Sequence, residues 1–167
     1  MSEFDKLKLA LDDIRARYKA LTDLITFTDQ QAMGLLRLYV TLGLATATGA
    51  ASSLFGLSPI RIELAWGLVA ATICFLGGAW YCFKAMETAR LGLIGRGPEF
   101  WQWAFEDGIE DRHIIDAYFK AAKAGIEGNR VLNEKTAGYL KRGRQLGPLA
   151  LIATLLFSLI TYGLLNP

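Results

Sequence analysis

The chain has 167 residues, 53% of them hydrophobic and 20% charged, with a formal net charge of +2. A mean hydropathy of +0.29 argues against a soluble or disordered chain, and the small net charge offers no global basic surface for a nucleic acid polymer. The predicted class is an all-α membrane protein, with three transmembrane helices and a cytosolic helical bundle making a single unit over residues 1–167.

Residues 1–37 are predicted to be cytosolic and to begin with an amphipathic helix over 2–28. Phe4, Leu7, Leu11, Ile14, Tyr18, Leu21 and Ile25 recur at alternating spacings of three and four, the seam pattern of a coiled coil. Ser2 or Asp5 is placed to cap its start. The seam needs an apolar partner, either a second copy of itself or the later cytosolic helices of the same chain. Thr26 to Arg37 then leads on without a proline, and Arg37 is positioned to snorkel. No cleavable signal is expected, because charged residues precede a first apolar run of full spanning length.

Residues 38–83 read as a transmembrane hairpin. Leu38 to Leu57 and Leu64 to Phe83 each carry no charge, and each has the roughly 20 residues that a helix needs to cross a hydrocarbon core of about 30 Å. The link between them holds Pro59, Arg61 and Glu63. Cys74 and Cys82 lie eight residues apart in the second run, which suits packing and neither a disulfide nor a metal site. Residues 84–145 are predicted to be cytosolic helices, and residues 146–165 the third span.

Basic residues set the orientation. Six lie in 1–37 and eleven between Lys84 and Gln145, against Arg61 alone in the link. The N-terminus and the long connection therefore face the cytoplasm, and the link and the C-terminus face outside. In a bacterium this places the protein in the inner membrane, with the lipid bilayer as its first partner.

Small residues recur at spacings of three and four within the spans. Gly43, Ala47, Ala50 and Ala51 mark the first, Gly67, Ala71, Cys74 and Gly78 the second, and Ala150, Thr154 and Ser158 the third. Such faces let helices approach closely in lipid. They are expected to pack the three spans together, or to join protomers of a homo-oligomer, with Gly43, Ala47, Gly67, Ala71 and Gly78 as the packing positions. No ionisable residue lies deep in a span, which argues against a pump or coupled transporter.

In the cytosolic connection, Gly92, Gly95, Gly97 and Pro98 are predicted to break the chain, and Pro98 suits the first turn of a new helix. Phe100, Trp101, Trp103 and Phe105 make that helix aromatic. A further helix is predicted from near Glu110, with its pattern resuming beyond Gly128. The charge reverses along the way, from net −5 over 99–116 to net +5 over 120–144. Lys141, Arg142 and Arg144 precede the third span, where headgroup contact is their default role. Pro148 removes an N–H from the helix that follows and is expected to kink it.

Catalytic chemistry is not legible. His113 is the only histidine and is best read as solvated. No nucleophile–base pair and no metal spacing assembles, so no enzyme, no metal and no cofactor is expected.

Two stretches carry a family likeness. One is Asp29-Gln-Gln-Ala-Met-Gly-Leu-Leu ahead of the first span, with Gln31 where the family's Asp-x-Lys-Ala lead-in has a lysine. The other is Gly128-Asn-Arg-Val-Leu-Asn-Glu-Lys-Thr-Ala-Gly-Tyr-Leu, with Asn129, Asn133 and Lys135. The layout over most of 20–165 resembles the Pycsar effector domain family of small bacterial anti-phage membrane proteins. That resemblance implies defence by membrane impairment, triggered in some members by a cyclic pyrimidine nucleotide. For an anionic ligand of this kind the basic block is the better candidate, with Arg130, Lys135 and Arg142 as the binding residues. The alternative function is a constitutive membrane scaffold or subunit that binds a soluble partner.

Overall fold

Helices α1 (Glu3–Leu54), α2 (Ile62–Met86), α3 (Pro98–Ala104) and α4 (Asp111–Leu165) form the architecture of the computed structural model, and there is no strand among the described residues. The structure describes residues 3–57, 61–86, 97–106 and 108–165, with the side chains of all of these except Glu3, Phe4 and Lys6. Ser2, the side chain of Phe4 in the seam, Pro59 of the link and most of the Gly92–Gly97 break lie outside them.

The predicted N-terminal helix and first span are one helix, α1, and Asp5 lies within it. Likewise the helix predicted from Glu110, its continuation beyond Gly128 and the third span are one helix, α4, which runs on through Pro148. Each interior glycine weakens a helix by about 1 kcal/mol relative to alanine. Packing of the flanking apolar faces outweighs that local preference.

The first helix ends sooner than the apolar run that forms it. Gly56 adopts φ +70°, the Leu57 N–H bonds the Ser52 carbonyl at 2.8 Å, and the Gly56 N–H bonds that of Ser53 at 3.1 Å. This is a Schellman stop, so Phe55 to Leu57 lie beyond the helix. Glu63 opens α2 and Lys84 closes it, each at the end where the helix dipole favours its charge. Pro98 stands in the first turn of α3 as expected. Gly108, at φ +92°, supplies the left-handed turn before α4.

The chain divides into two compact units. Unit 1 comprises Met1–Phe27 and Thr88–Glu134, and unit 2 comprises Thr28–Glu87 and Lys135–Pro167. The divisions fall ahead of the apolar boundaries expected at 38 and 146.

In unit 1 the α1 seam finds its partner within the chain. A Cβ on Gly125 of α4 would lie 3.2 Å from the Tyr18 ring and hydroxyl. Tyr18 and Ile25 are buried, Leu11 and Ile14 are half-buried, and Lys8 and the charges of Arg15 and Arg17 face solvent. On α3, Phe100 packs edge-on against Trp101, while Phe105 beyond its end stays 82% exposed.

In unit 2, α1, α2 and α4 enclose Ala32, Tyr39, Ala71, Phe75, Ala79, Cys82, Leu140 and Ala150. Two helices, α2 and α4, are long and apolar enough to cross a membrane. The first span expected, over 38–57, is not among them: α1 ends at Leu54, and Thr41, Gly43, Thr46, Thr48, Gly49, Ser52 and Ser53 dilute its apolar residues.

Candidate functional site

The small residues of unit 2 act at helix contacts within the chain. A Cβ on Gly67 would collide with the Ser158 hydroxyl and lie 2.6 Å from the Thr154 carbonyl oxygen, so α2 meets the α4 backbone there. Gly43 faces the Phe75 Cβ at 3.6 Å, Gly49 faces Leu68 at 3.2 Å, and Ala71 is buried while Ala47 is half-buried. The predicted stripes thus divide between the α1–α2 and α2–α4 contacts.

Gly78 belongs to a feature that the sequence reading missed. A Cβ on it would lie 2.7 Å from the Tyr39 ring, and one on Gly147 would lie 3.0 Å from the Tyr39 hydroxyl. That hydroxyl donates to the Gly143 carbonyl at 2.9 Å, and the ring leans on Phe75 at 5.9 Å between centroids. Tyr39 is 3% exposed. One phenol therefore fills the space left by glycines of α2 and α4. The signal available in the sequence was the four-residue spacing of Gly143 and Gly147, a small-x-x-x-small pair.

Several hydroxyls of these helices find acceptors without water, while that of Ser158 is buried with no hydrogen bond. Thr41, Thr48 and Ser53 donate to carbonyls four residues back at 2.9, 2.9 and 3.0 Å. Thr46 and Thr72 share a bond at 2.8 Å across the α1–α2 contact. The Thr161 hydroxyl lies 3.1 Å from the Glu63 carbonyl, joining α4 to the start of α2. Self-satisfied hydroxyls are the form in which polar residues enter a hydrocarbon layer.

The predicted ligand residues lie along α4. Arg130, in unit 1, pairs with Glu127 at 2.8 Å and Glu134 at 3.9 Å, all of them exposed. Lys135 and Arg142, in unit 2, are exposed and, seven residues apart, share a stripe of the helix. Arg130 is thus already neutralised by its own helix, whereas Lys135 and Arg142 present their charge outward.

The positions that carry the family likeness have distinct surroundings. In Asp29 one carboxylate oxygen is buried without a hydrogen bond, and burial raises its pKa above the ordinary carboxylate value. Gln31 accepts a hydrogen bond from the Arg144 guanidinium. Asn129 is 2% exposed, Asn133 is half-buried and Lys135 is exposed. His113 is exposed, as expected of a solvated histidine.

No protein-family model, curated protein or solved structure matches the chain.

Proposed function

We propose that the protein crosses the bacterial inner membrane three times, through 38–54, 64–83 and 146–165, with its N-terminus cytoplasmic. In that membrane it serves as an effector of anti-phage defence, impairing the bilayer when its cytosolic helices receive a signal such as a cyclic nucleotide. One observation carries the membrane reading: only 28% of the most apolar stretch of α2 and 6% of that of α4 is buried. The core helix of a soluble protein hides such a stretch, and a contiguous exposed apolar surface needs lipid or a partner. The satisfied hydroxyls of 41–53 support the same reading for α1, whose polarity lies in groups that need no water.

The effector reading draws on the family likeness, on spans without charge and on a basic stripe open to an anion at Lys135 and Arg142. A ligand moves an equilibrium only through unequal affinity for its two states, and α1 and α4 each contribute residues to both units. The scaffold reading is favoured by one specific observation, that Gly67 and Gly78 are filled within the chain. A homo-oligomer that opens the membrane would then assemble through the large exposed side chains of α2 and α4.

Membrane potential in cells separates the two readings. Wild type co-expressed with a pyrimidine nucleotide cyclase is expected to depolarise the inner membrane, and Lys135→Glu to remain harmless while accumulating normally. A wild type that leaves the potential intact with the cyclase active favours the scaffold.

A further inference from the structure

One buried phenol of α1 sits on a weak stretch of α4. Between residues 143 and 148 that helix carries Gly143, Gly147 and Pro148. Each glycine lowers helix stability. Pro148, which lies inside the helix, has no N–H to bond the Arg144 carbonyl. Prolines and glycines are where long helices bend. Onto this stretch Tyr39 brings its hydroxyl, which donates to the Gly143 carbonyl at 2.9 Å and would lie 3.0 Å from a Cβ on Gly147. The Tyr39 ring is held by Gly78 and Phe75 of α2. A bond from another helix thus takes hold where the ladder of α4 is thinnest.

The two arms of α4 within unit 2 are packed unequally. Before the weak stretch, Leu140 belongs to the core, and a Cβ on Gly143 would lie 3.1 Å from the Cys82 sulfur. Beyond Pro148, Ala150 is the only buried residue among those described. Contact with α2 there rests on small groups, with the Thr154 backbone against Gly67 and the Thr161 hydroxyl at the Glu63 carbonyl. The Ser158 hydroxyl faces Gly67 at the same contact and is buried with no hydrogen bond, an unfavourable state for a polar group. Sparse burial of this kind marks elements that open locally at low free energy.

We propose that Gly143 to Pro148 is a hinge of α4 and that Tyr39 is its latch. With the hydroxyl on Gly143, residues 149–165 lie along α2. With that bond lost, this arm swings away from α2 about the hinge while residues 135–142 stay packed. Removing one hydrogen bond shifts such an equilibrium about two- to tenfold. The inference rests on the membrane part of the proposed function. It deepens the effector part by naming the two-state element that a cytosolic signal would bias. A wild type that leaves the membrane potential intact would count against the effector reading and leave the latch standing.

Pulsed electron paramagnetic resonance of the full chain in lipid nanodiscs tests it. Spin labels are placed at Leu76→Cys of α2 and Leu159→Cys of α4, both exposed positions, in a Cys74→Ser/Cys82→Ser background shared by all variants. The parent is expected to show one dominant distance. Tyr39→Phe keeps the ring and removes the hydroxyl, and should raise the ratio of a longer distance to the dominant one about two- to tenfold. Tyr39→Phe/Gly147→Ala should return that ratio to the parent value, because the new methyl fills the space the hydroxyl vacates and stiffens the helix. Thr46→Val removes the hydroxyl bond to Thr72, a contact of α1 with α2 alone, and should leave the ratio unchanged. An unchanged ratio in Tyr39→Phe, a raised ratio that survives Gly147→Ala, or the same rise in Thr46→Val would overturn the proposal.

Discussion

Replacing Gly67 with leucine is expected to separate α2 from α4 and to destabilise unit 2 by about 3 kcal/mol or more, the upper range for overpacking a close contact. The neighbour that a Cβ would meet at 2.6 Å is the Thr154 carbonyl oxygen, which no change of rotamer can move. Gly78→Leu should cost about 2–3 kcal/mol. The Tyr39 ring that it meets is pinned by the bond to Gly143. Gly138 has nothing within 4 Å of a Cβ, so Gly138→Leu should be neutral or stabilise by a few tenths of a kcal/mol through helix propensity. Thermal unfolding in detergent would show the order. Equal tolerance at 67 and 138 would mean that the close approach of α2 to α4 is absent.

The second large effect is expected at Ile25, which is 2% exposed. Ile25→Asp removes a buried side chain and places a carboxylate there, at a cost of about 3–5 kcal/mol. Leu11→Asp, at a half-buried position of the same seam, should lose about 1–2 kcal/mol, and Lys8→Ala almost nothing. Hydrogen exchange of the full chain in lipid nanodiscs, read over 111–134, reports whether the partner helix loosens. Unchanged protection in Ile25→Asp would mean that the seam of α1 does not pack on α4.

Much of the fold was legible because its dominant signals are local. Uncharged runs marked the apolar segments, and the 3-4 spacing from Leu7 to Ile25 marked the seam. Pro98 marked the start of α3. Continuity was not legible, since the pattern is interrupted at Gly128, an interruption that packing along α4 overrides. The end of α1 at Leu54 depended on Gly56 and its two backbone bonds, which an apolar count cannot register. Small residues announced close contacts but not their partners. Tyr39 was missed because its meaning depends on glycines of α2 and α4 that come near it only in the fold. The hydroxyls of α1 lowered its apparent fitness for lipid, and only their bonds to Arg37, Leu44 and Gly49 carbonyls show how that polarity is absorbed.

The central claim is that α2 crosses a membrane with its basic end in the cytoplasm. Labelling intact cells with a membrane-impermeant maleimide tests it most directly, using Arg61→Cys and Lys135→Cys separately in a Cys74→Ser/Cys82→Ser background. Position 61 is expected to react in intact cells, and position 135 only after permeabilisation. Reaction at 135 but not at 61 would invert the orientation, and reaction at both in intact cells would deny that α2 spans at all.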